Sequence, residues 1–136
     1  MKLFAKAIPV VTATLLALTA TGVMAEDMPQ EDGAEALADT VSEQVVSYRC
    51  SSGKRLTVNY GFNAQGLPTF AESNLNGKTR NMPINLYRSD SAGMVFGDDN
   101  NFSIVANDIN SRNVKRSTIM VSDPASEIIY NNCRAK

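Results

Sequence analysis

Hydrophobic and polar residues alternate most clearly between Arg55 and Phe62. Leu56, Val58, Tyr60 and Phe62 interleave with Arg55, Thr57, Asn59 and Gly61. A period of two sends successive side chains to opposite faces, so this stretch predicts a half-buried β-strand. Shorter runs of the same character recur along the chain: Val45 to Cys50, Leu67 to Leu75, Thr79 to Leu86, Met94 to Phe96, Phe102 to Ala106, Ser117 to Val121 and Glu127 to Tyr130. Pro68 marks a strand start or an edge, and Pro83 interrupts its strand. Turn signals separate the runs: Asn63-Ala64-Gln65-Gly66, Gly97 to Asn101 and Asp123-Pro124. Asn76-Gly77 is the strongest hairpin signal, because both central positions of a type I′ turn require positive φ. Eight short strands at this spacing predict an all-β domain, a small antiparallel barrel or sandwich.

The first 44 residues follow a different pattern. Lys2 and Lys6 precede an apolar stretch from Ala7 to Ala20, and small residues follow up to Val23-Met24-Ala25. This is the layout of a secretory signal peptide over residues 1–25, with cleavage after Ala25. The apolar stretch is shorter than the roughly 20 residues of a membrane span, so no integral membrane segment is expected after cleavage. No cysteine stands at the cleavage site to carry a lipid anchor. The exported chain of about 110 residues suffices for one domain with a modest core.

Charge divides that chain. From Glu26 to Gln44 there are seven acidic residues and no Lys or Arg, with Pro29 and Gly33 as breakers and no aromatics. Such a composition predicts a flexible acidic leader over residues 26–44, with a short helix at Ala34 to Val41 as an option. From Val45 to Lys136 there are eleven basic and seven acidic residues, a net of +4.

Cys50 and Cys133 bracket the strand-rich block. In an oxidising compartment an even cysteine count reads as a disulfide, the alternatives being two free thiols or an intermolecular bond. The closed loop is long, and the chain-entropy model gives roughly 4–5 kcal/mol of stabilisation.

Several chemistries are disfavoured. The chain has no histidine, which removes the usual general base, the Ser-His and Cys-His nucleophile pairs and the commonest zinc ligand. Asp98-Asp99 lies in a Gly-Asp-Asp-Asn-Asn turn and lacks the alternating ligand spacing of an EF-hand loop. The expectation is therefore no enzyme, no metal and no cofactor. The basic cluster of Arg112, Lys115 and Arg116 lacks the interleaved aromatics of a single-strand nucleic-acid platform, so no nucleic-acid partner is expected. A rigid exported scaffold then acts by binding, through its loops. Ser89-Asp90-Ser91-Ala92-Gly93-Met94 combines small residues with a methionine read as protruding. From Ser89 to Ser111 there are four acidic residues, Asp90, Asp98, Asp99 and Asp108, and no basic one, which suits a cationic partner.

The block from Tyr48 to Cys133 resembles the bacterial inhibitors of c-type lysozyme, the membrane-bound and periplasmic kinds. Tyr48-Arg49-Cys50 with Gly53, Leu56 and Val58 looks like that family's first cysteine motif, and Ile128 to Cys133 like its last strand. The match is closer to the adhesin complex group of Gram-negative pathogens, through Tyr60-Gly61-Phe62-Asn63, Gln65-Gly66-Leu67, Asn76-Gly77-Lys78, Met82 to Leu86 and Ser89-Asp90. The resemblance implies an eight-stranded antiparallel β-barrel over residues 45–136, closed by a Cys50–Cys133 bond. It implies a loop inserted into the lysozyme active-site cleft, here Ser89 to Met94 with Phe96, and flanking contacts from Asp98, Asp99, Asn107 and Asp108. Val95 stands where the inhibitors carry a basic residue, so that contact is either missing here or supplied by Arg88 or Arg112. The inhibitors' later Trp and Lys-Gly motif is absent from Phe102 to Asp108. The resemblance also implies a second partner, a host-cell surface receptor, and a location in the periplasm, at the cell surface or in the medium.

Overall fold

The computed structural model describes residues 35–136 except Ser91. The expected signal peptide and residues 26–34 of the leader lie outside the described residues. Eight strands follow in order: β1 Ser42–Arg49, β2 Arg55–Phe62, β3 Pro68–Leu75, β4 Lys78–Pro83, β5 Met94–Gly97, β6 Ser103–Ala106, β7 Thr118–Ser122 and β8 Ile128–Ala135. All neighbours are antiparallel, in the order β4-β3-β2-β1-β8-β7-β6-β5. The sheet curls until its two ends meet, where Ile84 bridges to Phe96 and the Asn85 N–H donates to the Val95 carbonyl at 2.7 Å. The result is the expected all-β barrel, closed but for a short seam.

The alternation that announced β2 fills the interior. Leu56, Val58, Tyr60 and Phe62 are buried and meet Tyr48, Leu75, Phe96, Ile104, Ile119 and Val121 from the other strands. Asn76 and Gly77 take φ of 53° and 81°, the two positive values that the β3–β4 hairpin needs. β1 begins at Ser42, earlier than the alternation predicts, because Ser42, Glu43 and Gln44 pair with Phe62, Gly61 and Tyr60. Before it, residues 35–38 form one helical turn. β8 runs beyond Tyr130 to Ala135, through an irregularity at which Asn132 has φ of 52°.

The second seam lies between β1 and β8, which share two register pairs, Tyr48↔Ala135 and Arg49↔Arg134. Cys50 and Cys133 are disulfide-bonded beside those pairs. The rest of the β1 edge is covered by the β6–β7 connection. Gln44 Nε2 donates to the Ser111 carbonyl at 2.8 Å, and Ile109 and Val114 are fully buried. This connection, which carries the basic cluster of Arg112, Lys115 and Arg116, also supplies apolar side chains to the core.

One polar chain crosses that core. The Ser117 hydroxyl donates to the Val114 carbonyl at 2.6 Å, so it accepts from Tyr48 at 2.6 Å, and Tyr48 in turn accepts from Tyr60 at 2.7 Å. Burial pushes both phenols above their ordinary range, Tyr60 further because an ionised Tyr48 would face it. A pKa raised on folding means stability that is complete below the unfolded value, about 10, and lost as pH rises through the folded values. Thermal melts should hold level to about pH 9 and fall above about pH 10. Tyr60→Phe should melt lower at neutral pH, by about 1 kcal/mol of lost hydrogen bonding, yet decline less steeply with alkali. An equally steep decline in the variant would contradict the assignment.

Candidate functional site

The connection from β4 to β5 is built around Asn85. Its main-chain N–H reaches Val95, its Nδ2 donates to the Gly97 carbonyl at 2.9 Å, and its Oδ1 accepts from the Arg88 N–H at 3.2 Å. Ser89 closes the first turn: its hydroxyl donates to the Asn85 carbonyl at 2.8 Å and accepts from the Val95 N–H at 2.9 Å. Asp90 closes the second. It exchanges main-chain hydrogen bonds with Gly93 at 2.9 and 3.2 Å, and its Oδ1 accepts from the N–H of Ala92 at 2.8 Å. Asn, Ser and Asp do this because their short side chains reach nearby main-chain groups. The described residues of the loop are therefore braced by its own polar side chains.

That economy reassigns several expected contact residues. Ser89 is half-buried and Asp90 has its Oδ1 turned to the main chain, so both shape the loop. Met94 is not protruding: it is half-buried, pairs with Ala106 and packs on the core. Phe96 is fully buried, with its ring centroid 5.7 Å from that of Tyr60. An inward aromatic at this point of β5 anchors the loop from beneath and offers no surface of its own. Ala92 is exposed and Gly93 half-exposed, and a Cβ on Gly93 would lie 2.9 Å from the Ala106 carbonyl. Ser91 lies outside the described residues.

The flanking residues separate into two groups. Met94↔Ala106 continues toward Gly93 and Asn107, so Asn107 and Asp108 share the end of β5 that carries Ala92. An open groove of about 600 Å³ joins Ala92 and Gly93 to Asn107, Thr118, Met120 and Asn131. Asn107 is tied down, its Oδ1 accepting from the Thr118 N–H at 2.9 Å. Asp98 and Asp99 stand at the other end of β5, about 13 Å away for four residues of strand. Asp98 accepts from the Asn100 N–H at 2.9 Å and from Asn101 Nδ2 at 3.0 Å, so it holds its own turn. Asp99 is ion-paired with Arg88. The four acidic residues thus do not form one patch, and Arg88, considered as a replacement cation, already has a partner. Arg112 is exposed on the β6–β7 connection.

Two exposed residues of this connection are not evident from sequence. Leu86 and Tyr87 are 53% and 71% exposed, the largest exposed apolar pair on this loop. A Leu-Tyr pair after a strand reads as the strand's continuation. The usable signal is Pro83 followed by Asn85, which ends β4 and starts the turn.

Among the described residues no three His, Cys, Asp or Glu side chains cluster as metal ligands, and no helix is long and apolar enough to cross a membrane. No curated protein matches the chain. A solved structure, the Adhesin Complex Protein from Neisseria meningitidis, is similar to it, with 33% sequence identity, a TM-score of 0.65, and coverage of 68% of this chain and 99% of that one. The family model described as the ACP-like domain matches residues 44–135, which take in most of β1 and all of β2 to β8, and the chain belongs to that family.

Proposed function

We propose that this chain is an exported, non-enzymatic binding protein that blocks c-type lysozyme, with the β4–β5 connection entering the enzyme's active-site cleft. The observation that carries the proposal is the loop itself. It is prefolded by Asn85, Ser89 and Asp90, and it presents Leu86, Tyr87 and Ala92 to solvent. Steric blockade needs a rigid protrusion with an exposed anchor, and no reactive group. Tyrosine is a favoured anchor because it offers a large contact area at small entropic cost. Asn107 and Asp108 beside Ala92 supply polar contacts at the rim, and Asp98 and Asp99 add long-range attraction for a basic enzyme. The disulfide suits an oxidising compartment, in keeping with a signal peptide over residues 1–25 and a place in the periplasm, at the surface or in the medium.

Tyr87→Ala and Ala92→Arg should each weaken inhibition of a c-type lysozyme at least about tenfold, as expected for a hot spot and for a new side chain at a packed tip. Both positions are exposed, so melting temperatures should stay within the small range of surface substitutions. Inhibition constants unchanged in both folded variants would remove this loop from the interface.

A second reading is favoured by the solved relative from Neisseria meningitidis, whose name makes it an adhesin. We take adhesion to a host-cell surface as a role that can coexist with inhibition, on a different face of the barrel.

A further inference from the structure

Arg49 lies in β1 directly opposite Arg55 of β2 on one side and Arg134 of β8 on the other. All three are exposed on the outer face of the barrel. Neighbouring strands are about 5 Å apart, so three guanidinium side chains form a row with about 10 Å between the outer two backbones. Like charges directly opposite one another destabilise a sheet, and ordinary surfaces intersperse the two signs. Here no Asp or Glu is paired with any of the three. Among the described residues the one ion pair is Arg88–Asp99, at the far seam. Glu43 is six residues along β1, about 20 Å away, and Glu72 pairs with Asn59, four residues beyond Arg55.

The surroundings hold the row in place and leave it open. Lys136 donates its main-chain N–H to the Ser47 carbonyl at 3.1 Å, which fixes the C-terminal residue next to the row. The Thr118↔Arg134 pair continues the row onto β7, and Ser47↔Thr57 lies behind it. Ser47, Thr57 and Thr118 are exposed, short and hydroxylated. They leave the guanidinium groups accessible and add donors. The Cys50–Cys133 bond adjoins both Arg49 and Arg134 and locks the register of the strands that carry them. The charges are therefore preorganised, which lowers the ordering cost of binding.

We propose that this row is a binding site for a linear sulfated polysaccharide. Guanidinium groups recognise sulfate oxygens through paired, charge-assisted hydrogen bonds. The row is about as long as a disaccharide and lies on a sheet face, which suits a polymer with a charge on each repeat. A bilayer surface fits less well, because the flanking residues are polar and offer nothing to insert below the headgroups. The site is diametrically opposite the β4–β5 seam in an eight-stranded barrel, so it stands apart from the lysozyme-binding loop. It gives the adhesion reading a receptor chemistry and rests on that reading only for its biological setting.

Heparin is the probe. Titrating the oxidised, signal-cleaved chain with heparin at low salt should give saturable binding that weakens as salt rises. R49Q/R55Q/R134Q should lose at least about tenfold in affinity, since up to three charge-assisted contacts are removed. Its melting temperature should be equal or higher, because repulsion within the row is relieved. R112Q, on the β6–β7 connection, should change affinity less than about twofold. Heparin binding retained by the triple variant, an equal loss in R112Q, or no binding by the unaltered chain would overturn the proposal. Arginine-dependent binding to phosphatidylglycerol vesicles without binding to heparin would overturn it too. Heparin binding with no adhesion to cells would count against the adhesion reading and leave the site in place. Lysozyme inhibition is read in a separate assay.

Discussion

Removing the disulfide, as Cys50→Ser/Cys133→Ser, should cost about 4.5 kcal/mol, a large part of the stability of a domain this size. The two cysteines are 83 residues apart, so the bond restricts most of the unfolded chain. It also acts where the fold is thinnest. β1 shares eight register pairs with β2 but two with β8. Without the bond, the β1–β8 seam is held by those two pairs and by Lys136 on Ser47. Equilibrium denaturation of the oxidised protein and the double variant measures the difference. A variant with a substantially lower midpoint and a similar slope is expected. An unchanged midpoint would mean that the strand pairs alone close the barrel.

Gly97→Ala should be the most damaging single change near the loop, at about 3 kcal/mol or more. Gly97 ends β5 with φ of +85°, a conformation that side chains disfavour. A Cβ there would lie 2.2 Å from the Phe102 carbonyl oxygen and 3.2 Å from the Ser103 Cα. Both contacts are main chain, so no rotamer change relieves them. Gly77 separates the two contributions: its φ is +81°, but a Cβ meets nothing within 4 Å. Gly77→Ala should cost about 1 kcal/mol, the conformational share alone. Comparable losses at the two positions would show that the β5–β6 turn yields to the added methyl. The turn between Gly97 and Phe102 carries Asp98 and Asp99, so Gly97→Ala should also disturb the Arg88–Asp99 pair.

The strands are legible in the sequence because their signals are local. Alternation from Leu56 to Phe62 and the Asn76-Gly77 turn need no knowledge of distant residues. Strand ends are less so. Ser42 to Gln44 carry no apolar pattern and join β1 through their pairing with β2. β8 loses its alternation at Asn131 and Asn132, where the ladder is irregular. The loop is legible too, but its chemistry is inverted. Val95 and Phe96 are both buried because the returning segment through Asn85 and Ser89 covers the outer face of β5. Small polar residues that look like contact groups are consumed in holding the turn, while Leu86, which reads as the end of a strand, stands exposed beside Tyr87. Arg49, Arg55 and Arg134 are not evident as a group, since only the register unites them. One clue is present: an arginine precedes Cys50 and another follows Cys133, so a bond between the cysteines makes neighbours of the two.

The most direct test of the central claim is a titration of c-type lysozyme activity on bacterial cell walls with the oxidised chain from Glu26 to Lys136. The binding-loop account predicts saturable inhibition near one-to-one stoichiometry, weaker at higher salt and weaker again for Tyr87→Ala. Full lysozyme activity in the presence of excess folded, disulfide-bonded protein would contradict it and leave adhesion as the function.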